Sequence, residues 1–173
     1  MLSHLVIVFL FFSGDQQSKL VDWSANRKLV WKDFTGKAVA NTDNAALTSS
    51  SINFKFGYGS SGLTYSINCQ FDKSRSWVKV KSDYILAHEQ GHFDIAEIHA
   101  RKLKKALSSY TYKESTASAD INKLYENIMK QHHVMQNEYD RETDHSRKND
   151  QQSAWLKKIA SELKGMEMYA NYR

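Results

Sequence analysis

The chain has no proline and one cysteine, Cys69, in 173 residues. A lone thiol excludes an internal disulfide in any compartment. Without proline, and with seven glycines, reversal of the chain falls to glycine and asparagine. No apolar run is long enough to span a bilayer. The longest, "LVIVFLFF" from Leu5 to Phe12, has eight residues, the length of a signal-peptide core. Residues 1–14 are therefore read as a signal peptide and the protein as secreted or periplasmic, with no stable membrane span once the leader is removed. No Lys or Arg precedes the run, and Phe12-Ser13-Gly14 is a poor cleavage site, so the competing reading is a buried first strand. No cysteine follows closely, which gives no support to a lipid anchor. Nor does charge of one sign dominate: the formal net charge is +5, and the densest basic run, "RKLKK" at Arg101–Lys105, falls late in a helical pattern, where cations suit the C-terminus. A solvated helix end is the reading there, and nucleic acid is not an expected partner.

What is present suffices for one substantial core, and residues 15–173 are read as a single domain. "LVDWSANRKLVWKDFTGKA" reads as a first strand and its turn, and Asn41–Ser50, rich in Asn, Thr and Ser, as a loop. "SINFKFGYG", "GLTYSINCQFD" and "SWVKV" alternate apolar with polar residues, the pattern of a half-buried antiparallel meander. Ser82 and Asp83 cap a long helix reaching about Ser108. A second helical pattern opens at Asp120 with a stripe through Ile121, Leu124, Tyr125, Ile128, His132, Met135, Tyr139 and Glu142. A third runs from about Ser153 to Tyr169. Strands first and helices second make an α+β fold: a meander, two long antiparallel helices and a C-terminal helix.

The first long helix contains "YILAHEQGHFDIAEIHARKL". His88 and His92 are four apart, so their imidazoles leave one helix face a turn apart and can share one zinc ion. Glu89 beside them can take a proton from a water held in the open position of such an ion. This is the H-E-x-x-H pattern of zinc-dependent peptidases. A chance match in a chain of this composition is of order one per cent, so its place inside a helix that follows strands adds weight. Gly91 weakens that helix by about 1 kcal/mol relative to Ala, which suggests a close approach there.

A third protein ligand is needed. His99 is seven residues beyond His92, roughly 10 Å along the axis, and reads as a core or rim histidine. "NEYDRETDHS", Asn137–Ser146, holds Glu138, Asp140, Glu142, Asp144 and His145 where the second helix ends, and an antiparallel return brings that end to the start of the first. His145 is the choice, with Asp144 and Glu142 as alternatives by a small rotation of the helix end, and His132 and His133 as further candidates. Tyr139 is a candidate donor to a developing oxyanion. Asp94 and Glu97 either hold a ligand histidine or face water, and water is the reading for Glu97.

"LAHEQGHFDIAEIHARKL", with upstream "LVWKDFTGKA" and "SWVKVKSDYI" and downstream "YDRETDHS" and "QQSAW", resembles a bacterial family described as predicted secreted zinc-dependent proteases. The likeness covers about Leu29–Ile159. It implies a zincin-like fold, zinc, export and proteolysis of a peptide or protein substrate. It supports His88, Glu89 and His92 directly and marks Tyr139, Asp140, Thr143 and His145 as a site segment. Ser146 stands where that pattern expects glycine. The alternatives to a secreted zinc peptidase are a non-catalytic exported binding module tied together by its metal, and a zinc amidase acting on cell-wall peptides.

Overall fold

The computed structural model describes residues 19–172, so the proposed leader, 1–14, lies outside the described residues. Strand β1 (Leu20–Asp22) leads through a single 3-10 turn at Trp31–Asp33 to β2 (Ala46–Leu47), and then come β3 (Ser50–Gly59), β4 (Gly62–Asp72) and β5 (Trp77–Val78). Helices α1 (Asp83–Ser108), α2 (Ala117–Thr143) and α3 (Asn149–Gly165) follow, with a last 3-10 turn at Glu167–Tyr169. Strands precede helices, as the α+β expectation has it.

The alternation seen in the sequence becomes a long hairpin. β3 and β4 pair antiparallel from Ser50↔Phe71 to Gly59↔Gly62. Ser60 and Ser61 close it, and Gly62 takes φ +100, a left-handed conformation that a Cβ disfavours. β1 adds to the far side of β4, giving the order β1-β4-β3. The third piece of the expected meander departs from the hairpin: β5 pairs with β2 in a separate two-stranded ribbon. The stretch read as loop, Asn41–Ser50, therefore contains a strand, too short at two residues to show any periodicity.

α1 is the central element. Ser82 Oγ accepts from the Ile85 N–H at 3.1 Å and caps it, with Asp83 in the first turn. From Phe93 to Arg101 every residue is buried, because one face of the helix meets the sheet and the other meets α2 and α3. On the sheet side Phe93, Ala96, Ala100 and Leu103 pack on Ile52, Ile67, Cys69 and Phe71. On the other side Ile95 and Ile98 meet Met135 and Tyr139 of α2 and Trp155 and Ile159 of α3.

This all-round burial overturns two readings of the helix. Arg101 is not at a solvated end: it is buried, with Nε donating to Glu97 at 2.9 Å, Nη1 to the Leu163 carbonyl at 2.9 Å and its guanidinium over the Trp23 ring. Glu97 does not face water: it is buried between Arg101 and the Tyr172 hydroxyl. Periodicity detects an apolar stripe, whereas a charged pair buried by α3 and the C-terminal segment leaves no local sign. α2 starts three residues before Asp120, and α3 runs four residues earlier at each end than its periodicity suggested.

Candidate metal centre

α1 and α2 run antiparallel, so His88 and His92, a turn apart on α1, face Asp140 and Gln136, a turn apart on α2. The Nε2 atoms of His88 and His92 are 3.2 Å apart. Asp140 Oδ1 lies 3.1 Å from the first and 3.0 Å from the second. The three atoms form a nearly equilateral triangle. Ligands at about 2.0–2.1 Å from a tetrahedral ion are separated by roughly 3.3 Å, so these edges match one face of such a shell. Two imidazole nitrogens and a carboxylate oxygen converging this closely is an arrangement that a cation resolves, and His88, His92 and Asp140 could together hold a metal ion.

The electrostatics fit that donor set. Burial disfavours charge on Asp140, but hydrogen bonds from His88 and His92 and their charges outweigh it and hold the carboxyl well below the usual range. Burial likewise opposes a proton on His92, yet the bond and charge of Asp140, with help from Glu89 and Gln136, raise its pKa to about 9. Burial keeps His88 below its ordinary value. Without a metal, a proton on the His92–Asp140 pair balances the cluster. A cation held there would take the place of that proton, so metal binding would depend on pH.

Glu89 is buried at 3 % exposure, and its Oε2 has no hydrogen-bond partner. Burial pushes its carboxyl pKa up, opposed by the charge of His92 and by hydrogen bonds from Thr48. Glu89, His88, His92 and Asp140 line one cavity of about 340 Å³. Residues 44–50, which include β2, form a wall of that cavity, and His132, His133, His145 and Ser146 also line it.

The structure separates the remaining sequence candidates. His145, chosen from the sequence as third ligand, stands just outside the triangle, with Nδ1 3.3 Å from Asp140 Oδ1 and the side chain 43 % exposed. It lies in the turn that ends α2, where Asp144, His145 and Ser146 take φ of 49°, 49° and 72°, so the chain has left the helical path that carries Asp140. Of the alternatives, Glu142 accepts from Trp155 Nε1 at 2.7 Å and Asp144 pairs with Arg147 at 3.4 Å. Glu138 lines a different cavity, beside His99. Thr143 is buried and donates to the Tyr139 carbonyl at 2.6 Å.

Tyr139, the candidate oxyanion donor, is not among the residues that line the cavity. It is fully buried, its hydroxyl donates to the His88 carbonyl at 3.3 Å, and its ring stacks on His88 with centroids 4.5 Å apart. Gly91 permits this: a Cβ there would lie 2.5 Å from the Tyr139 hydroxyl. His99 sits in the core as read, with Nδ1 on the Ile95 carbonyl at 2.9 Å. Asp94 holds Trp23 Nε1 at 2.6 Å and Gln90 Nε2 at 2.7 Å rather than a histidine.

The sequence reading names neither Gln136 nor Thr48, and its argument from reach prefers His145 to Asp140. A usable sign is present: His132, Gln136 and Asp140 recur every four residues, a polar row that leaves the stripe at His132 and complements His88 and His92 on the facing helix.

No curated protein and no solved structure matches this chain. A protein-family profile does match, over residues 26–146, a span that takes in the hairpin, α1, α2 and every group of the triangle. The chain belongs to the family described as "Bacterial protein of unknown function (DUF922)".

Proposed function

We propose that the protein is an exported zinc-dependent peptidase in which His88, His92 and Asp140 hold the ion and Glu89 is the general base. The observation that carries this reading is the buried Glu89 carboxylate, one oxygen unpartnered, in the same cavity as the three converging ligand atoms. Imidazole and carboxylate ligands suit zinc, and three protein groups leave a coordination position open, whereas a purely structural site is usually closed by four. Zinc, when bound, polarises a carbonyl and brings the pKa of a coordinated water towards neutrality.

Glu89 takes a proton from the attacking water and returns it to the leaving amine. Its raised pKa suits both halves of that task, since a carboxyl nearer neutrality accepts and releases protons with less imbalance. Asp140, held anionic by its histidine partners, balances the charge of the ion. β2, paired with β5 on one side, borders the cavity, and a main-chain wall of this kind gives an extended peptide a surface to lie along. Export rests on the Leu5–Phe12 run, and no described helix is long and apolar enough to cross a membrane.

The test is zinc content together with peptide-library digestion. The dialysed protein retains about one zinc per chain, and Glu89→Gln keeps the zinc while losing about 10²–10⁴-fold in hydrolysis. Zinc far below one per chain, or unaltered hydrolysis by Glu89→Gln, refutes the assignment.

A further inference from the structure

Gln136 sits on α2 one turn before Asp140 and makes three hydrogen bonds through its amide. Its Nε2 donates to the His92 main-chain carbonyl at 2.9 Å and to His132 Nε2 at 3.0 Å. A carbonyl oxygen can only accept, so the amide nitrogen must be the atom facing it, and the reversed amide would set oxygen against oxygen. That choice leaves Gln136 Oε1 opposite His92 Nδ1, 2.6 Å away. An amide oxygen also only accepts, so His92 Nδ1 must carry the hydrogen. The other ring nitrogen, Nε2, is the one that faces His88 Nε2 and Asp140 Oδ1.

From this chain of donors and acceptors we infer that Gln136 is a positioning residue: it holds the His92 ring in the Nδ1–H form so that Nε2 offers its lone pair to a metal ion, while His132 and the His92 carbonyl keep the amide the right way round. The inference rests on the metal-site reading above. It also gives a place to buried His132, which touches none of the three ligand atoms and acts only by accepting from the amide. His88 has no corresponding support: its Nδ1 is buried without a hydrogen-bond partner. Control of tautomer therefore falls on His92. Partners of this kind typically account for about 10–100-fold in metal affinity.

Two substitutions separate positioning from packing. Gln136→Leu keeps an apolar body of similar size but removes the acceptor. Gln136→Glu keeps an acceptor for Nδ1–H but sets a carboxylate against the His92 carbonyl. A packing role predicts that leucine is tolerated and glutamate harmful, and the positioning role predicts the reverse for metal affinity. Zinc affinity of the full chain, measured by competition with a chromophoric chelator, falls about 10–100-fold in Gln136→Leu and stays within about threefold in Gln136→Glu. In protein labelled with ¹⁵N-histidine, a downfield imidazole proton assigned to His92 Nδ1 is present with and without zinc, persists in Gln136→Glu and vanishes in Gln136→Leu. Unchanged zinc affinity in Gln136→Leu, or equal losses in both variants, overturns the inference. Should the unsubstituted protein take up no zinc, the metal reading fails and the Nδ1 proton alone decides: its absence from the unsubstituted protein, or its persistence in Gln136→Leu, overturns the positioning role.

Discussion

Gly91→Ala sets helix propensity against packing. In an isolated helix the change is favourable by about 1 kcal/mol. Here the new Cβ would lie 2.5 Å from the Tyr139 hydroxyl oxygen, 2.9 Å from Cζ and 3.0 Å from Cε1, where ordinary contact begins near 3.4 Å. Tyr139 has nowhere to withdraw, because it is fully buried, with His88 at 4.5 Å, His92 at 5.0 Å and Trp155 at 5.4 Å between ring centroids. Overpacking a core costs about 1–3 kcal/mol, and three overlapping atoms on a pinned ring belong at the upper end. Subtracting the propensity gain leaves a net loss of about 2 kcal/mol, a fall of about 4–8 °C in melting temperature for a domain of this size. The assay is thermal and urea unfolding followed by circular dichroism, with chelator present so that metal linkage does not contribute. Tyr139→Phe removes the nearest of the three atoms, so the double variant recovers about 1 kcal/mol relative to additivity. A Gly91→Ala protein that melts at or above the parent, or strictly additive effects, would rule out the overlap with Tyr139 as the cause.

Asp140→Asn lowers zinc affinity by more than the roughly 10–100-fold of a supporting residue, whereas His145→Ala stays within about tenfold; equal or larger loss in His145→Ala, by chelator competition, would return the third-ligand role to His145. His99 and His132 are held neutral by burial, with pKa values lowered to about 4 and about 3. Below the unfolded value near 6.5 the unfolded chain takes up protons that the folded chain refuses, so stability drops as pH falls, by up to about 2 kcal/mol per histidine at pH 5. His99→Asn and His132→Asn each reduce the difference between urea midpoints at pH 7.5 and pH 5, and an unaltered difference counts against the buried neutral state. Ser146 holds φ 72 without the Asn or Asp side chain that tolerates it. Ser146→Gly removes about 1 kcal/mol of strain against a smaller entropic loss, so the urea midpoint rises or holds; a clear fall in the midpoint would contradict this.

Much of the architecture was legible because its causes are local. Alternation over "SINFKFGYG" and "GLTYSINCQFD" marks two strands, and the Gly59 to Gly62 stretch marks their reversal. Ser82 announces α1, and the spacing of three and four along α2 gives most of its inward face, Ile121, Ile128, His132, Met135 and Tyr139, although Glu142 at the end of that spacing is exposed. His88, Glu89 and His92 need only one helix to stand together, so their placement follows from 3.6 residues per turn. Other features escaped because their partners lie far off in sequence. β2 is two residues long and exists only through β5. Arg101 and Glu97 look like solvated charges until α3 and Tyr172 cover them.

The α+β order, the capped central helix and the pair of histidines on one of its faces follow from local pattern, since each depends on neighbours within a few residues. Which groups meet that pair depends on how the helices pack. The slide of α2 along α1, seated where Tyr139 fills the gap over Gly91, sets Asp140 opposite His88 and Gln136 opposite His92, while His145 lies in the left-handed turn at Asp144–Ser146. Helix periodicity states which residues share a face. It carries no information on how two faces are registered, and that register is fixed by packing between residues about fifty apart in the chain.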